Sequence, residues 1–258
     1  TVFETPKPNN IVSTKGWITL PDAKTWDAEH PVMYTANITL TTPGQDETIR
    51  IPFGFREVKV SGNEVLVNGK PVKLRGVCRH EAHRTLGRAI TDELRRKDVE
   101  LFRDANVNYI RTSHYPPGEG LTTAADELGM FVEQEAPLCW VGHPANSIWG
   151  QWSPRDERYR TLIIRQTLEM IARDANHPSV IIWSLANESM WTSNFERSNE
   201  LAKAFDPTRP TSFHDQAWGA HNNARSKADI AVYHYPTPEQ AAQPDEAGRP
   251  MLFGEYCH

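Results

Sequence analysis

The sequence predicts an α/β chain, a (β/α)₈ barrel with its last unit missing, preceded by the tail of an all-β sandwich. Three observations lead there. Residues before about 70 read as short strands rich in β-branched residues. From about residue 72, short apolar strands alternate with segments of helical period, which implies a parallel sheet with right-handed crossovers. Acids, histidines and aromatics follow the strand ends, and in such barrels the active site lies at the carboxyl ends of the strands. We divide the chain into residues 1–62, the sandwich tail, and residues 63–258, the incomplete barrel.

Val32 to Leu40 is the first strand, bounded by Pro31 and by Pro43-Gly44. Thr48 to Pro52 and Phe55 to Val60 continue the pattern, and Asn68-Gly69 is a two-residue hairpin signal. The barrel strands are expected at Val72–Val77, Tyr109–Thr112, from Met130, Val180–Leu185, Pro210–Phe213, Asp229–Tyr233 and Pro250–Phe253. The helix opened by Thr91-Asp92 is expected to bury Leu94, Leu101, Phe102 and Ala105. Leu121–Leu128 is a helix ended by Gly129. Helices over Arg155–Asn176 and Phe195–Phe205 complete the alternation.

Composition narrows the function. A net charge of −5 without a Lys or Arg run argues against nucleic acid as partner. No apolar run approaches the roughly 20 residues of a membrane helix, so no membrane partner is expected. The three cysteines, Cys78, Cys139 and Cys257, are odd in number and far apart, which excludes a disulfide framework or zinc cluster. His80-Glu-Ala-His83 has the wrong spacing and the wrong element for a helical zinc motif. The sequence assigns no compartment.

The strand ends carry Arg79, His80 and Glu81, then Ser113, His114 and Tyr115, then Glu133 and Glu135. Asn187 and Glu188, His214 and Asp215, His234 and Tyr235, and Glu255 with Tyr256 and His258 follow. Glycoside hydrolysis uses this inventory: two carboxyl groups flank the anomeric carbon, and polar side chains hold the sugar hydroxyls. Glu188 and Glu255 lie on opposite sides of the barrel mouth and form the best pair. Tyr256 or Tyr235 can donate to Glu255 and keep it ionised. Trp140, Trp149, Trp152, Trp191 and Trp218 can stack on sugars or pack between helices and sheet. Glu81 reads either as a carboxylate behind the site or as an ion-pair partner of Arg111. Glu133 and the Arg95-Arg-Lys97 run read as solvated faces, and His177 as a loop residue satisfied by backbone.

These residues resemble glycoside hydrolase family two. The matching stretches are Ile51-Pro-Phe-Gly-Phe-Arg-Glu57, Val67-Asn-Gly-Lys-Pro-Val72, Leu74-Arg-Gly-Val77 with Arg79-His-Glu81, and Asn108 to Pro116. Asn176 to Glu188 and Gly254-Glu-Tyr256 complete the set in family order. The resemblance implies that Glu188 is the general acid/base and Glu255 the nucleophile of a retaining exo-β-glycosidase. It implies that residues 1–62 end an immunoglobulin-like domain, that the chain is a fragment, and that oligomers can form through missing domains.

Gly254-Glu-Tyr-Cys-His258 is similar to the β-galactosidase branch, which implies terminal β-D-galactosides as substrates. In that branch His80, His114, Glu135, Asn187, Tyr235 and His258 correspond to sugar-binding positions. Its magnesium ligands after the third strand correspond to Cys139 and Val141, so that site is lost and no cofactor is expected unless His143 or a displaced loop substitutes. The alternatives are a β-glucuronidase or β-mannosidase, a non-catalytic carbohydrate-binding relative, an endo-acting glycosidase on the same fold, and a structural domain of a larger assembly.

Overall fold

A computed structural model describes residues 16, 18–143, 155–215, 226–243, 245 and 247–256. Two antiparallel units come first. Strands β1 (Tyr34–Thr42) and β2 (Gln45–Phe53) form a ribbon turned at Pro43-Gly44. Strands β3 (Val58–Ser61), β4 (Glu64–Val67) and β5 (Lys70–Pro71) form a small sheet. Its second turn is Asn68-Gly69, with φ of +51° and +75°, the two left-handed residues that this hairpin requires.

Seven parallel strands follow in chain order: β6 (Gly76–Arg79), β7 (Tyr109–Thr112), β8 (Phe131–Glu135), β9 (Val180–Ser184), β10 (Thr211–Phe213), β11 (Ile230–His234) and β12 (Met251–Glu255). Helices α1 (Asp92–Asp104), α2 (Glu119–Leu128), α3 (Arg160–Asp174) and α4 (Ser193–Phe205) lie between them, with a short α5 (Pro238–Ala241) before β12. This is a nearly closed (β/α) barrel. The first barrel strand starts four residues later than expected, because Val72 and Leu74 belong to the lead-in that packs under the barrel.

Helix signals hold at the ends. Thr91 accepts from the Leu94 amide, and Gly129 closes α2 with φ +78°. The inward face of α1 differs from expectation. Val99 is its buried centre, Leu94 and Phe102 are half-buried, and Leu101 is 52% exposed. A helix laid on a parallel sheet buries one narrow stripe, and Leu101 falls outside it.

One apolar cluster fills the space between helices and sheet, including Val99, Leu121, Ile163, Met170 and Phe195. A second lies under the barrel and ties in the lead-in. There Trp26, fully buried, meets Phe131 edge-on at 5.9 Å and donates its indole N–H to the Asp126 carbonyl at 2.8 Å. Arg56 donates to the carbonyls of Pro178 and Val180 at 3.1 and 3.0 Å, and burial pushes its pKa down to about 9.

Edge strands β6 and β12 meet where the Cys78 thiol donates to the Gly254 carbonyl at 3.1 Å. A cleft of about 1560 Å³ runs between them to the barrel mouth, lined by Val72, Leu74, Leu252, His114 and Glu255 among others.

Candidate active site

The barrel interior is polar at alternate positions. Tyr109 and Arg111 on β7, Glu133 and Glu135 on β8, and Ser212 with His214 around β10 interact across it. Side chains two apart on a strand share a face, and here that face is the inside. This corrects two expectations. Polar chemistry is not confined to the strand ends, and Glu133 is not on a solvated face: it is fully buried. Its carboxylate accepts from the Tyr109 and Ser212 hydroxyls and lies 3.1 Å from His214 Nε2. Burial alone pushes the Glu133 pKa up, but His214, Arg111 and Ser212 outweigh it and hold it below the ordinary value.

Arg111, 1% exposed, organises the level above. It donates to Glu135 Oε2 at 2.9 Å, to Glu255 Oε1 at 2.8 Å and to Asn187 Oδ1 at 2.6 Å. Sequence reading assigned Arg111 only as a partner for Glu81. Glu81 instead pairs with Arg79 and Arg95 at 2.6 Å each, so Arg95 leaves the solvated face assigned to it and is clamped. His177 is satisfied by the Asp126 carboxylate at 2.5 Å rather than by backbone.

Glu188 follows β9 with φ +38° and is 5% exposed. The indole N–H of Trp140 donates to its Oε2 at 2.6 Å, and His234 Nδ1 lies 3.5 Å from its Oε1. Glu255, the last residue of β12, faces it. Tyr235 donates its hydroxyl to Glu255 Oε2, while Tyr256 is 64% exposed. Burial pushes the Glu255 pKa up, but His234, Arg111 and Tyr235 together hold it below the ordinary carboxylate value. Burial and Glu255 push the Tyr235 phenol up, so it stays a donor.

Glu188, His234 and Glu255 each bring one ligand-type atom within 4.8 Å of the others. A tetrahedral cation with bonds of about 2.1 Å needs ligand atoms nearer about 3.4 Å apart. His234 Nδ1 lies 3.5 Å from Glu188 and 3.9 Å from Glu255, and the space between the two carboxylates admits a reacting atom.

The other expected site residues fall as follows. Glu135 is fully buried, and His114 Nδ1 lies 2.8 Å from its Oε1. His114 is partly exposed and meets His80 edge-on at 5.2 Å. Asn187 is buried and turns its amide N–H to Cys139 Sγ at 3.3 Å. Tyr235 has φ +49°. His258, Trp149, Trp152 and Trp218 lie outside the described residues.

Among the described residues, the positions that match the galactosidase-type magnesium ligands do not fit that ion. Magnesium takes oxygen ligands. Cys139 offers sulfur to Asn187, Val141 is a buried aliphatic, and His143 stacks on Trp140 with ring centroids 5.2 Å apart. Trp140 therefore uses its edge on Glu188 and one face on His143. Trp191 packs on Phe213 at 4.9 Å.

Residues 58–258 match the model of Glycosyl hydrolases family 2, TIM barrel domain. A beta-galactosidase of Vibrio vulnificus is 33% identical over 253 residues, covering 93% of this chain and 24% of that protein. A putative beta-glucuronidase of Formosa agariphila is 36% identical over 218 residues, covering 78% of this chain and 25% of that protein. The chain thus spans about a quarter of the length of these curated relatives. Among solved structures, a beta-D-glucuronidase of Dictyoglomus thermophilum superposes with a TM-score of 0.76 at 25% identity, covering 91% of this chain and 45% of that one. A beta-galacturonidase of Eisenbergiella tayi, bound to galacturonate, gives 0.69 at 28%, covering 84% and 38%.

Proposed function

The chain belongs to glycosyl hydrolase family 2, and on that premise we propose that its parent protein is a retaining exo-β-glycosidase acting on terminal β-linked sugars. Glu188 is the general acid/base and Glu255 the nucleophile. The single observation that carries this reading is the approach of their carboxyl oxygens to within 4.8 Å. Retaining enzymes hold their carboxyl groups roughly 5–5.5 Å apart, and inverting enzymes roughly 6.5–9.5 Å to admit a water.

In the first step Glu188 gives its proton to the leaving oxygen as Glu255 attacks the anomeric carbon and forms a glycosyl ester. In the second, Glu188 takes a proton from water, which attacks and releases Glu255. Arg111 and Tyr235 supply donors to the Glu255 carboxylate, keeping it ionised for attack and stabilising it as it leaves. Asn187, oriented through its Oδ1 by Arg111, His114 and exposed His80 are the contacts for sugar hydroxyls, with Glu135 fixing His114 from behind. The acid/base works without the galactosidase-type magnesium, and Trp140 donates to it instead.

We assign β-D-galactosides as substrates on the Gly254-Glu-Tyr-Cys-His258 segment. A β-glucuronide reading has its own support in the printed names of the Formosa and Dictyoglomus relatives. Residues 1–62 are proposed as the end of a sandwich domain preceding the barrel.

The test uses the full-length protein. A panel of aryl β-galactoside, glucuronide, mannoside and glucoside identifies the sugar. Proton NMR of the first-formed product identifies the stereochemistry, with the β anomer expected. An α anomer formed first would overturn the mechanism, and turnover of none of the panel would overturn the activity.

A further inference from the structure

Four buried side chains form one line through the barrel. Glu133, on the floor, lies 3.1 Å from His214 Nε2. His214 Nδ1 lies 2.8 Å from His234 Nε2, and His234 Nδ1 lies 3.5 Å from Glu188 Oε1. Glu133, His214 and His234 are at most 1% exposed. A buried polar chain of this kind is costly unless each donor meets an acceptor.

The direction of its hydrogen bonds follows from the floor. An ionised carboxylate only accepts. Glu133 accepts from Tyr109 and Ser212, and a second carboxylate, Glu135, stands 3.7 Å from the same His214 Nε2. That nitrogen therefore carries hydrogen. In the neutral ring Nδ1 is then an acceptor and takes the N–H of His234 Nε2. This leaves a lone pair on His234 Nδ1, facing Glu188. The groups around His234 are Glu188, Glu255 at 3.9 Å, His214, Tyr235 and Arg111. Burial pushes its pKa down and outweighs the hydrogen bond to Glu188, which raises it; with His214 and Arg111 lowering it and Glu255 raising it, the net shift is toward the neutral ring.

The backbone is built around this line. The β8–β9 ladder shifts register between Val132 and Glu133, and the β11–β12 ladder between Tyr233 and His234. Such irregularities re-aim side chains. Gly254 on β12 packs closely against the two rings. A Cβ there would sit 2.6 Å from His214 Nδ1 and 2.9 Å from His234 Nε2, on the bond they share.

We propose that Glu133, His214 and His234 are positioning residues that hold a proton on Glu188 Oε1 until substrate takes it. The proposal rests on Glu188 being the acid/base. The acid's O–H bond breaks as the leaving oxygen gains the proton, and the two imidazoles keep their own N–H hydrogens throughout. A hydrogen bond accepted from the acid form raises its pKa, so loss of the acceptor lowers it.

The test is the pH dependence of kcat/KM in the full-length protein, measured with an aryl glycoside of poor leaving group. His234→Met removes the acceptor. His214→Gln keeps an amide N–H for Glu133 but removes the Nδ1 acceptor, so it reads the array with the floor intact. Both are expected to move the alkaline limb down, by about one pH unit for His234→Met, as the loss of one buried hydrogen bond implies. His214→Gln, which does not border Glu255, should slow an activated aryl glycoside, which needs no proton, far less than one with a poor leaving group; His234→Met, which does border it, is read by its alkaline limb alone. An alkaline limb that stays put or rises in folded variants overturns the proposal. Glu188→Ala separates the two levels: if it slows good and poor leaving groups equally, the acid/base reading itself has failed.

Discussion

The indole N–H of Trp140 donates to Oε2 of Glu188 over 2.6 Å, while His234 Nδ1 stands 3.5 Å from the other oxygen. One carboxyl group thus faces a donor on one side and, on the reading above, an acceptor on the other. The donor favours the carboxylate and the acceptor favours the acid.

Trp140→Phe should therefore move the alkaline limb in the direction opposite to His234→Met, upward. Loss of a hydrogen bond to a charged group costs about 1.5–3 kcal/mol, or roughly 10–100-fold. That loss should fall on the first chemical step, where Glu188 gives up its proton and becomes the carboxylate that Trp140 stabilises. Single-turnover rates on a substrate with a poor leaving group would locate it, and an unaltered first step would refute the assignment.

Glu188→Ala should slow poor leaving groups by about 10²–10⁴-fold and good ones far less in the first step. Azide, a nucleophile that needs no base, should restore release of the glycosyl enzyme as a β-glycosyl azide. Absence of that product would count against Glu188.

The acid limb should belong to Glu255. Its pKa is held below the ordinary value of 4.5, so the carboxylate, and with it activity, persists below that pH and is lost only as pH falls through the depressed value. Arg111→Lys cannot reach Glu135, Glu255 and Asn187 together, so the acid limb should move up in that variant. The pH profile of kcat/KM checks the direction.

A structural pH effect should accompany these. Burial lowers the His177 pKa, but Asp126 and Asp174 outweigh it and raise it above 6.5. The charged ring then contributes stability that is fully present below pH 6.5 and lost as pH rises through the raised value. Thermal unfolding across that window should show the loss, and His177→Gln should flatten it.

Gly254→Ala should destabilise by about 1–3 kcal/mol, because its Cβ meets the two imidazoles rather than open space. The same variant should disturb the alkaline limb while leaving Glu255 in place.

Much of the frame was legible in the residues. Asn68-Gly69, Thr91 and Gly129 each mark a backbone event with its own chemistry, and all three occur where the sequence puts them. Glu188 and Glu255 stood out because each ends an apolar run. The interior did not stand out. Glu133 and Arg111 are spaced two apart from Glu135 and Tyr109, and that period marks one face without saying whether the face is solvent or barrel. The contact that would have decided it, Arg111 to Glu255, joins residues 144 apart. His214 and His234 were visible only as polar residues after strands. Their pairing depends on register shifts that no local pattern announces.

Glu188 and Tyr235 both hold left-handed backbones, φ +38° and +49°, although neither is glycine. A non-glycine residue in that region costs of order 1 kcal/mol or more. Glycine at position 188 would relax the turn, so the mutational neighbourhood of this site slopes toward inactivity. Once selection for turnover is lifted, drift would replace the acid with a residue that folds more easily. A lineage that keeps Glu188 in such a turn is one in which chemistry, rather than folding, is being selected at that position.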